Sequence, residues 1–359
     1  MEAATASTRA DYMSREPAKL ATAFEHWGKI DAPSIGSPLY AELGLGAARD
    51  PELLRLAAET RPNQPAPNML FGAVQYLLLG GEQHELREHY PILGAGAEPQ
   101  GRMFPKFRDF CLAHRDAIVP LLKTRRTQTC VLQRCVCLLP AFARVVSEAP
   151  GPLAMLELGP SAGFNLLWDR YRYDYGGELR WGNPQSEVLL DTERRGDVPL
   201  PDLPASMEVS WRVGVDLNPV DVRDDDQVRW LRALIFPEHV ERHLQLRAAI
   251  RIARVHPPRL VEGDAADRLP ELLSEAPRHA TLVVFATHAL NQLPPDRLVL
   301  VLKSLQRHGE RRPLFFVSME FTAVRHSELF LTHYAGGGRE TIKLADCNPH
   351  GQWIEWQAA

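Results

Sequence analysis

One segment of the chain combines a carboxylate, two glycines and a short turn at a spacing suited to holding a ligand. An apolar run ends at Glu157 and Leu158, and Gly159, Ser161 and Gly163 follow at alternate positions. Glycine permits a positive φ and close backbone approach, and the start of a following helix offers N–H groups without helical partners. A strand that ends in such a turn predicts a small-ligand site with Glu157 as its acidic group.

The spacing of the small residues excludes two common nucleotide sites. A dinucleotide site needs Gly-x-Gly-x-x-Gly, and these three positions hold Gly159, Ser161 and Phe164. The bulk of Phe164 opposes the close packing that a third glycine allows. A phosphate loop needs a Gly-Lys-Ser or Gly-Lys-Thr ending, which this segment lacks. The pattern that remains is acidic-x-Gly-x-small-x-Gly.

Two later segments also end in carboxylates. Val213–Asp216 reads as a short buried strand that is closed by Asn218 and Pro219. An ionised carboxylate only accepts hydrogen bonds, so Asp216 is suited to the two hydroxyls of a ribose, and its alternative role is a helix cap. Arg259–Glu262 is a further strand-like segment, and Gly-Asp-Ala follows it.

In this order, the motifs resemble those of class I methyltransferases that use S-adenosylmethionine, over roughly residues 153–359. The resemblance implies that Asp264 contacts the adenine amino group and that Ala265 lies against the ring. The alternative for Asp264 is again a helix cap. The predicted cofactor-binding residues are Glu157, Gly159, Ser161, Gly163, Asn165, Asp216, Asn218, Asp264 and Ala265.

Candidate catalytic residues lie after the fourth and fifth predicted strands. His288, in the loop after the fourth strand, is a candidate general base because imidazole titrates near neutrality, and its alternative is a hydrogen-bonded loop histidine. Glu320, at the end of the fifth strand, is the second candidate. The Asp/Asn-Pro-Pro-Tyr/Phe and Pro-Cys signatures of nucleic-acid base methylation are absent after the fourth strand.

The elements that position these residues predict an α/β fold with a helical N-terminal domain over 1–150 and a Rossmann-like, seven-stranded methyltransferase-type sheet over 151–359. Asp216 lies 59 residues after Glu157, whereas about 20 is typical of nucleotide folds. The excess predicts an insertion over about 170–207 that carries a small hairpin. The predicted strands are 153–158, 213–216, 259–262, 281–286 and 313–320, with a terminal hairpin of 340–345 and 352–356.

The N-terminal half reads as helices separated by proline and glycine breaks. Predicted helices are 19–27, 37–45, 51–59, 68–80, 106–123 and 127–149. The segments 64–79, 169–173, 214–221 and 229–231 are similar to those of an uncharacterised bacterial family with a helical front half and a methyltransferase-like back half. In relatives, an Asn-Glu pair is expected where this chain has Cys130 and Val131.

The composition of the chain limits the kinds of partner and the cellular location that we expect. The net charge of −4 implies no general attraction to nucleic acid, and no apolar run approaches the length of a membrane span. The N-terminal segment lacks the apolar core of a signal peptide. Five cysteines suit a reducing cytoplasm, and the spacing of Cys130, Cys135 and Cys137 favours buried small side chains over metal ligands.

Two functions are consistent with these patterns. The first is an S-adenosylmethionine-dependent methyltransferase that acts on a small or medium acceptor. The alternative is a non-catalytic binding or scaffold protein that retains the fold, because Ser161 replaces a glycine and no catalytic motif is complete. The acceptor and the oligomeric state are left open by the sequence.

Overall fold

The computed structural model describes residues 11–94, 103–322 and 326–358. The chain forms two compact units. The first contains the described residues up to Thr129 together with Asp224–Leu244, and the second contains Cys130–Arg223 and the described residues from Gln245 onward. The helix Cys135–Glu148 therefore belongs to the second unit, with the sheet.

Eleven α-helices longer than one turn lie within the described ranges, and none has the length and apolar character needed to cross a membrane. They are α1 Pro17–His26, α2 Pro38–Ala47, α3 Pro51–Ala57, α4 Ala66–Leu79, α5 Met103–Ala113, α6 Arg115–Thr124, α7 Cys135–Glu148, α8 Asp225–Ala233, α9 Val240–Val255, α10 Ala265–Glu275 and α11 Pro295–Gly309. A π-helical turn, Trp27–Asp31, extends α1.

Local sequence explains where the helices of the first unit begin. The carboxylate of Asp50 accepts hydrogen bonds from the N–H groups of Glu52 and Leu53, and Pro51 occupies the first turn of α3.

Two predicted helices differ in the structure. The helix predicted over 106–123 is two helices, with a break at His114. The helix predicted over 127–149 starts only at Cys135, after a 3₁₀ turn at Leu132–Arg134.

The second unit is built on a nine-stranded mixed sheet in the order β5-β12-β11-β10-β9-β8-β1-β6-β7. Its strands are β1 Leu153–Leu158, β5 Glu193–Arg195, β6 Val209–Asp216, β7 Arg259–Glu262, β8 Thr281–Thr287, β9 Leu314–Phe321, β10 Ser327–Ala335, β11 Gly338–Cys347 and β12 Trp353–Trp356. β7, β6, β1, β8 and β9 are mutually parallel. The antiparallel strands β10, β11 and β12 extend the sheet beyond β9, and β5 pairs parallel to β12.

Helices cover both faces of the parallel strands, as expected for buried parallel sheets. Every residue of β1 is buried, and Leu156 belongs to a core that includes Leu269 of α10 and Leu305 of α11. On the other face, Phe142 of α7 packs edge-on against Phe285 of β8, with 5.4 Å between ring centroids. The carboxyl ends of the strands are thereby held at one edge of a rigid core.

The prediction of seven strands was wrong: the described part of the sheet has nine. The five parallel strands and the β11–β12 hairpin lie where predicted, but β5 and β10 were missed. β5 consists of Glu193, Arg194 and Arg195, all exposed, so it lacks an apolar alternation. β10 does alternate, with Leu329 and Leu331 buried, and its pattern could have been recognised.

The segment predicted as an insertion contains a small three-stranded sheet in the order β3-β2-β4. Its strands are β2 Arg172–Asp174, β3 Arg180–Gly182 and β4 Leu189–Asp191, and β2 and β3 form the predicted hairpin. Tyr171, Tyr173 and Tyr175 are buried, and each hydroxyl donates to a backbone carbonyl over 2.7–2.8 Å. These aromatic rings are core residues of the unit.

Candidate functional site

The turn after β1 lies at the point where the order of the parallel strands reverses. In chain order, the parallel strands are β1, β6, β7, β8 and β9, so β6 and β7 lie on one side of β1, and β8 and β9 on the other. Ligands of open α/β sheets bind at such a switch point, outside the carboxyl ends of the strands. Glu157, which is next to last in β1, pairs with Gly214 of β6 and Phe285 of β8.

Glu157 is a fully buried acid with one unpartnered oxygen. Its Oε1 accepts a hydrogen bond from Asn165 Nδ2 over 2.9 Å, while Oε2 has no hydrogen-bond partner among the described residues. Burial raises the pKa of Glu157 to about 8, and the negative charge of Asp216 acts in the same direction. The bond from Asn165 and the charge of Arg134 oppose this rise. The carboxyl group is therefore largely protonated at neutral pH.

The Asn165 side chain joins Glu157 to two neighbouring elements. Its Nδ2 also lies 3.4 Å from Thr287 Oγ1 at the end of β8, and its Oδ1 accepts from the thiol of Cys135 over 3.4 Å. Because Asn165 follows the turn, these bonds connect the turn to β1, β8 and the start of α7. The predicted ligand residue thus has a positioning role for Glu157.

Three residues of the turn adopt left-handed backbone conformations: Gly159 (φ 73°), Ser161 (φ 53°) and Gly163 (φ 75°). A Cβ on Gly159 would lie 2.7 Å from Ala289 Cβ, and one on Gly163 would lie 2.7 Å from Pro258 Cγ. Glycine is required at both positions by backbone conformation and by protein packing. The segment that follows, Phe164–Arg170, is a 3₁₀ helix with non-helical backbone at Leu167, so it provides no regular helix start.

Asp216 and Asn218 lie directly beside the turn. Asp216 Oδ2 accepts from the Ser161 N–H, and Oδ1 accepts from the Asn218 N–H, both over 2.8 Å. The predicted cofactor-binding residues Asp216 and Asn218 therefore lie beside the predicted turn, at the ends of β1 and β6.

Cys130 is a further residue at the turn. Its sulfur accepts from the Ala162 N–H over 3.4 Å. Burial raises the pKa of the Cys130 thiol to about 11, while its contacts with the Ser161 hydroxyl and the Ala162 N–H act in the opposite direction. The thiol is therefore protonated near neutrality and is a weak nucleophile.

Asp264 and Ala265 lie at the start of α10. Asp264 caps this helix by accepting from the Ala266 N–H over 2.8 Å, and it forms an ion pair with Arg297 at 2.9 Å. The bond from Arg297 is the largest cause of the lowered pKa of Asp264. The contacts made by this carboxylate are those of the alternative interpretation, a helix cap.

His288 follows β8 with a φ of 54° and is half-buried. Its ring Nε2 lies 2.8 Å from Ser327 Oγ. Its backbone N–H donates to the Met319 carbonyl over 2.9 Å. Burial is the largest cause that lowers the pKa of His288 to about 3, and electrostatic interactions with Arg134 and His350 act in the same direction. The imidazole is neutral at physiological pH, and a base with so low a pKa abstracts protons poorly.

Glu320 holds the loop that contains His288. Its carboxylate accepts from the N–H groups of Ala289, Leu290 and Asn291 over 3.0–3.2 Å. Burial raises the pKa of Glu320, and these three hydrogen bonds partly offset the rise. These hydrogen bonds give Glu320 the role of fixing the conformation of the loop.

Arg134 is another residue at this edge of the sheet that the motifs did not identify. It precedes α7, and its Nε donates to the Pro349 carbonyl over 3.0 Å, while Nη1 lies 3.5 Å from the Thr287 carbonyl. Its positive charge lowers the pKa of Glu157, Glu320 and His288 alike. No motif marks a lone arginine far from the turn in sequence, so only the fold brings it to this edge.

A separate trio of possible metal ligands, His326, Glu328 and Asp346, lies on the antiparallel part of the sheet. The Lys343 ammonium lies 2.8 Å from both Glu328 Oε1 and Asp346 Oδ1, and His326 Nε2 lies 2.9 Å from Asp346 Oδ1. The ammonium already pairs with both acids, so the contacts of this trio are those of an ion-pair network.

Comparison with known proteins assigns a family and no activity. No curated protein and no solved structure matches the chain significantly. The chain matches, over residues 21–356, a bacterial family that is described as "Uncharacterized protein conserved in bacteria (DUF2332)". Since the match spans most of the chain, the protein belongs to this family.

Proposed function

We propose that the second unit binds S-adenosylmethionine and transfers its methyl group to a small or medium acceptor. The observation that carries this proposal is the place of Glu157 at the switch point between β1, β6 and β8, where its buried Oε2 has no hydrogen-bond partner among the described residues. A polar atom that is buried without a partner costs free energy, and a ligand group that forms a hydrogen bond with Oε2 removes that cost. The spatial order of the five parallel strands, β7-β6-β1-β8-β9, also fits the core of a methyltransferase-type sheet.

In this proposal, the neighbouring residues hold the nucleoside. Asp216 accepts from the ribose hydroxyls, and its bonds to the Ser161 and Asn218 N–H groups fix the orientation of its carboxylate. The left-handed turn at Gly159 and Gly163 lets the backbone pass close to the ligand. Asp264 and Ala265 remain candidates for the adenine end, with Arg297 fixing the position of the Asp264 carboxylate.

The chemistry that the cofactor supplies is a methyl group on a positively charged sulfur, which an acceptor nucleophile attacks as the carbon–sulfur bond breaks. Alignment of the two reactants is the main requirement for the protein. His288 is bound to Ser327, and Glu320 is bound to three N–H groups. Both therefore shape the loop beside the reaction site, and an acceptor that reacts without losing a proton first suits this arrangement best.

Calorimetric titration with S-adenosylmethionine and S-adenosylhomocysteine tests the proposal, with NADH and ATP as control ligands. We expect micromolar binding of the first two ligands alone. If neither ligand binds to a protein that circular dichroism shows to be folded, the proposal is contradicted.

The chain carries five free thiols, which fit the cytoplasm that we propose as its location.

The second candidate is a non-catalytic binding or scaffold protein. The engagement of both possible bases, His288 and Glu320, in structural hydrogen bonds favours it. Turnover separates the two candidates: an enzyme forms S-adenosylhomocysteine from S-adenosylmethionine when it is given dialysed and undialysed cell extract. A binding protein that takes up the cofactor forms no product beyond that of the same extract without the protein.

A further inference from the structure

The carboxyl group of Glu157 is fully buried at the end of β1 and is bonded through only one of its oxygens. Oε1 accepts from Asn165 Nδ2 over 2.9 Å, and Oε2 has no hydrogen-bond partner among the described residues. The thiol of Cys135 donates to Asn165 Oδ1 over 3.4 Å, and this contact orients the amide with its N–H group toward Glu157. Because Oε1 is an acceptor, the proton of a neutral Glu157 lies on Oε2.

The groups around Glu157 leave this carboxyl mainly protonated. Burial is the largest effect and raises the pKa of Glu157 to about 8, and the negative charge of Asp216 acts in the same direction. The charge of Arg134 and the hydrogen bond from Asn165 oppose this rise. The neighbour on β8, Phe285, carries no charge. The other titratable neighbours are thiols and a phenol that stay uncharged near neutrality because burial raises the pKa of each: Cys130, Cys135 and Tyr171.

A ligand with a net positive charge changes the balance at Glu157. A buried charge without a counter-ion is costly, and loss of the proton from Oε2 supplies a negative charge without movement of a side chain. S-Adenosylmethionine carries such a charge, because its carboxylate balances its ammonium and its sulfonium is left over. S-Adenosylhomocysteine has a neutral sulfur and no net charge. Only the first ligand therefore favours the ionised form of Glu157.

We propose that Glu157 releases its proton to solvent when S-adenosylmethionine binds and keeps it when S-adenosylhomocysteine binds. Glu157 is then a specificity-determining residue that favours the charged cofactor over the neutral product. The inference rests on the proposed function, because it concerns the same ligand pair. Binding that releases a proton becomes tighter as pH rises to the pKa of the ligand-free protein, by at most about tenfold per pH unit.

Calorimetric titration with both ligands at several pH values tests the inference. In the wild type, the ratio of the Kd of S-adenosylhomocysteine to that of S-adenosylmethionine should rise by about tenfold or more between about pH 6 and pH 8. Glu157→Gln keeps an acceptor for Asn165 and cannot ionise, so it should lose this rise. The ligand amino groups also titrate, and the variant retains their contribution. Asp221→Asn, at an exposed carboxylate, is the matched control and should behave as the wild type.

A second measurement needs no variant. Titrations of the wild type near pH 7, in buffers that differ in their enthalpy of ionisation, give the number of protons released on binding. We expect about one proton more for S-adenosylmethionine than for S-adenosylhomocysteine. Equal release by the two ligands, or the same pH dependence in Glu157→Gln as in the wild type, overturns the inference and leaves the proposed function standing. Binding of neither ligand overturns both.

Discussion

Asn165 Nδ2 donates to Glu157 Oε1 over 2.9 Å, and this bond is the one hydrogen bond that the described residues give to the buried carboxyl. Asn165 reaches back to β1 from the 3₁₀ helix that follows the turn. The bond therefore closes the loop between the strand and its turn, and it sets which carboxyl oxygen is left for a ligand.

Asn165→Ala should lower the free energy of unfolding by about 1–3 kcal/mol, because it leaves Oε1 buried without a donor. Urea unfolding measures the loss. A double-mutant cycle with Glu157→Leu, which removes the acceptor, should give a coupling of more than about 0.5 kcal/mol between the two side chains. Additive losses would show that the bond contributes nothing to stability.

Glu157→Gln should abolish a decrease in stability with rising pH. The folded-state pKa of about 8 lies above the ordinary value of 4.5, so the stabilising effect of the proton is complete below 4.5 and is lost as pH rises to about 8. The wild type should lose roughly 3–5 kcal/mol relative to the variant between about pH 4.5 and 8. Parallel pH profiles from urea unfolding would contradict the assignment.

His288→Asn should make the protein less sensitive to acid. The pKa of His288 falls from 6.5 to about 3 in the folded state, so stability is complete above 6.5 and falls by about 1.4 kcal/mol per pH unit below it. Asparagine tolerates the positive φ at this position. In urea unfolding, the free energy of unfolding of the variant should decline less steeply below about pH 6 than that of the wild type. His279→Asn, at an exposed histidine, is the matched control. An unchanged slope would contradict the burial of a neutral imidazole.

Gly159→Ala should cost more than its backbone conformation requires. A left-handed alanine costs about 1–2 kcal/mol, and forcing a methyl group against Ala289 adds about 1–3 kcal/mol. Gly176→Ala is the matched control, because Gly176 has a φ of 80° and a Cβ added there would meet no atom of the described residues within 4 Å.

Adding Ala289→Gly to Gly159→Ala should restore the packing part of the loss and leave the backbone part. Thermal or urea unfolding of the wild type, the two single variants and the double variant separates the two contributions. Equal losses at Gly159 and Gly176 would show that Ala289 yields at little cost.

Asp216→Ala should weaken S-adenosylmethionine binding by about 1–3 kcal/mol, because a ribose hydroxyl pair loses its acceptor. Calorimetry gives the Kd, and Asp221→Ala, at a nearby exposed carboxylate, is the control. The same Kd in wild type and Asp216→Ala would remove Asp216 from the ligand site.

The sequence predicted the parts of the site that depend on local pattern. The apolar run of β1, the turn from Gly159 to Gly163 and the second carboxylate at Asp216 lie together, because strand ends and glycine spacing are local signals. The role of Asp264 was less defined, since a carboxylate before a helix reads equally as a cap or as a ligand group, and its bonds are those of a cap.

Features that depend on tertiary packing were not predictable from the sequence. Nothing in the segment around Arg134 indicates that its guanidinium lies beside the Thr287 carbonyl at the end of β8 and that its charge acts on Glu157 and Glu320. The low pKa of His288 and the hydrogen bonds to Glu320 arise from the surroundings that the fold creates. A residue-type argument therefore selected His288 as a base when its buried position opposes that role.

The short strand β5 has a consequence for how the protein behaves at high concentration. It forms one end of the large sheet with three exposed residues, Glu193, Arg194 and Arg195, and the Arg195 guanidinium lies 4.7 Å from the centre of the Trp353 ring on β12. An edge strand with unpaired backbone groups can recruit a strand from another molecule. A short edge strand of charged residues offers few unpaired backbone groups and disfavours pairing with apolar strands. This end of the sheet therefore resists aggregation through strand addition.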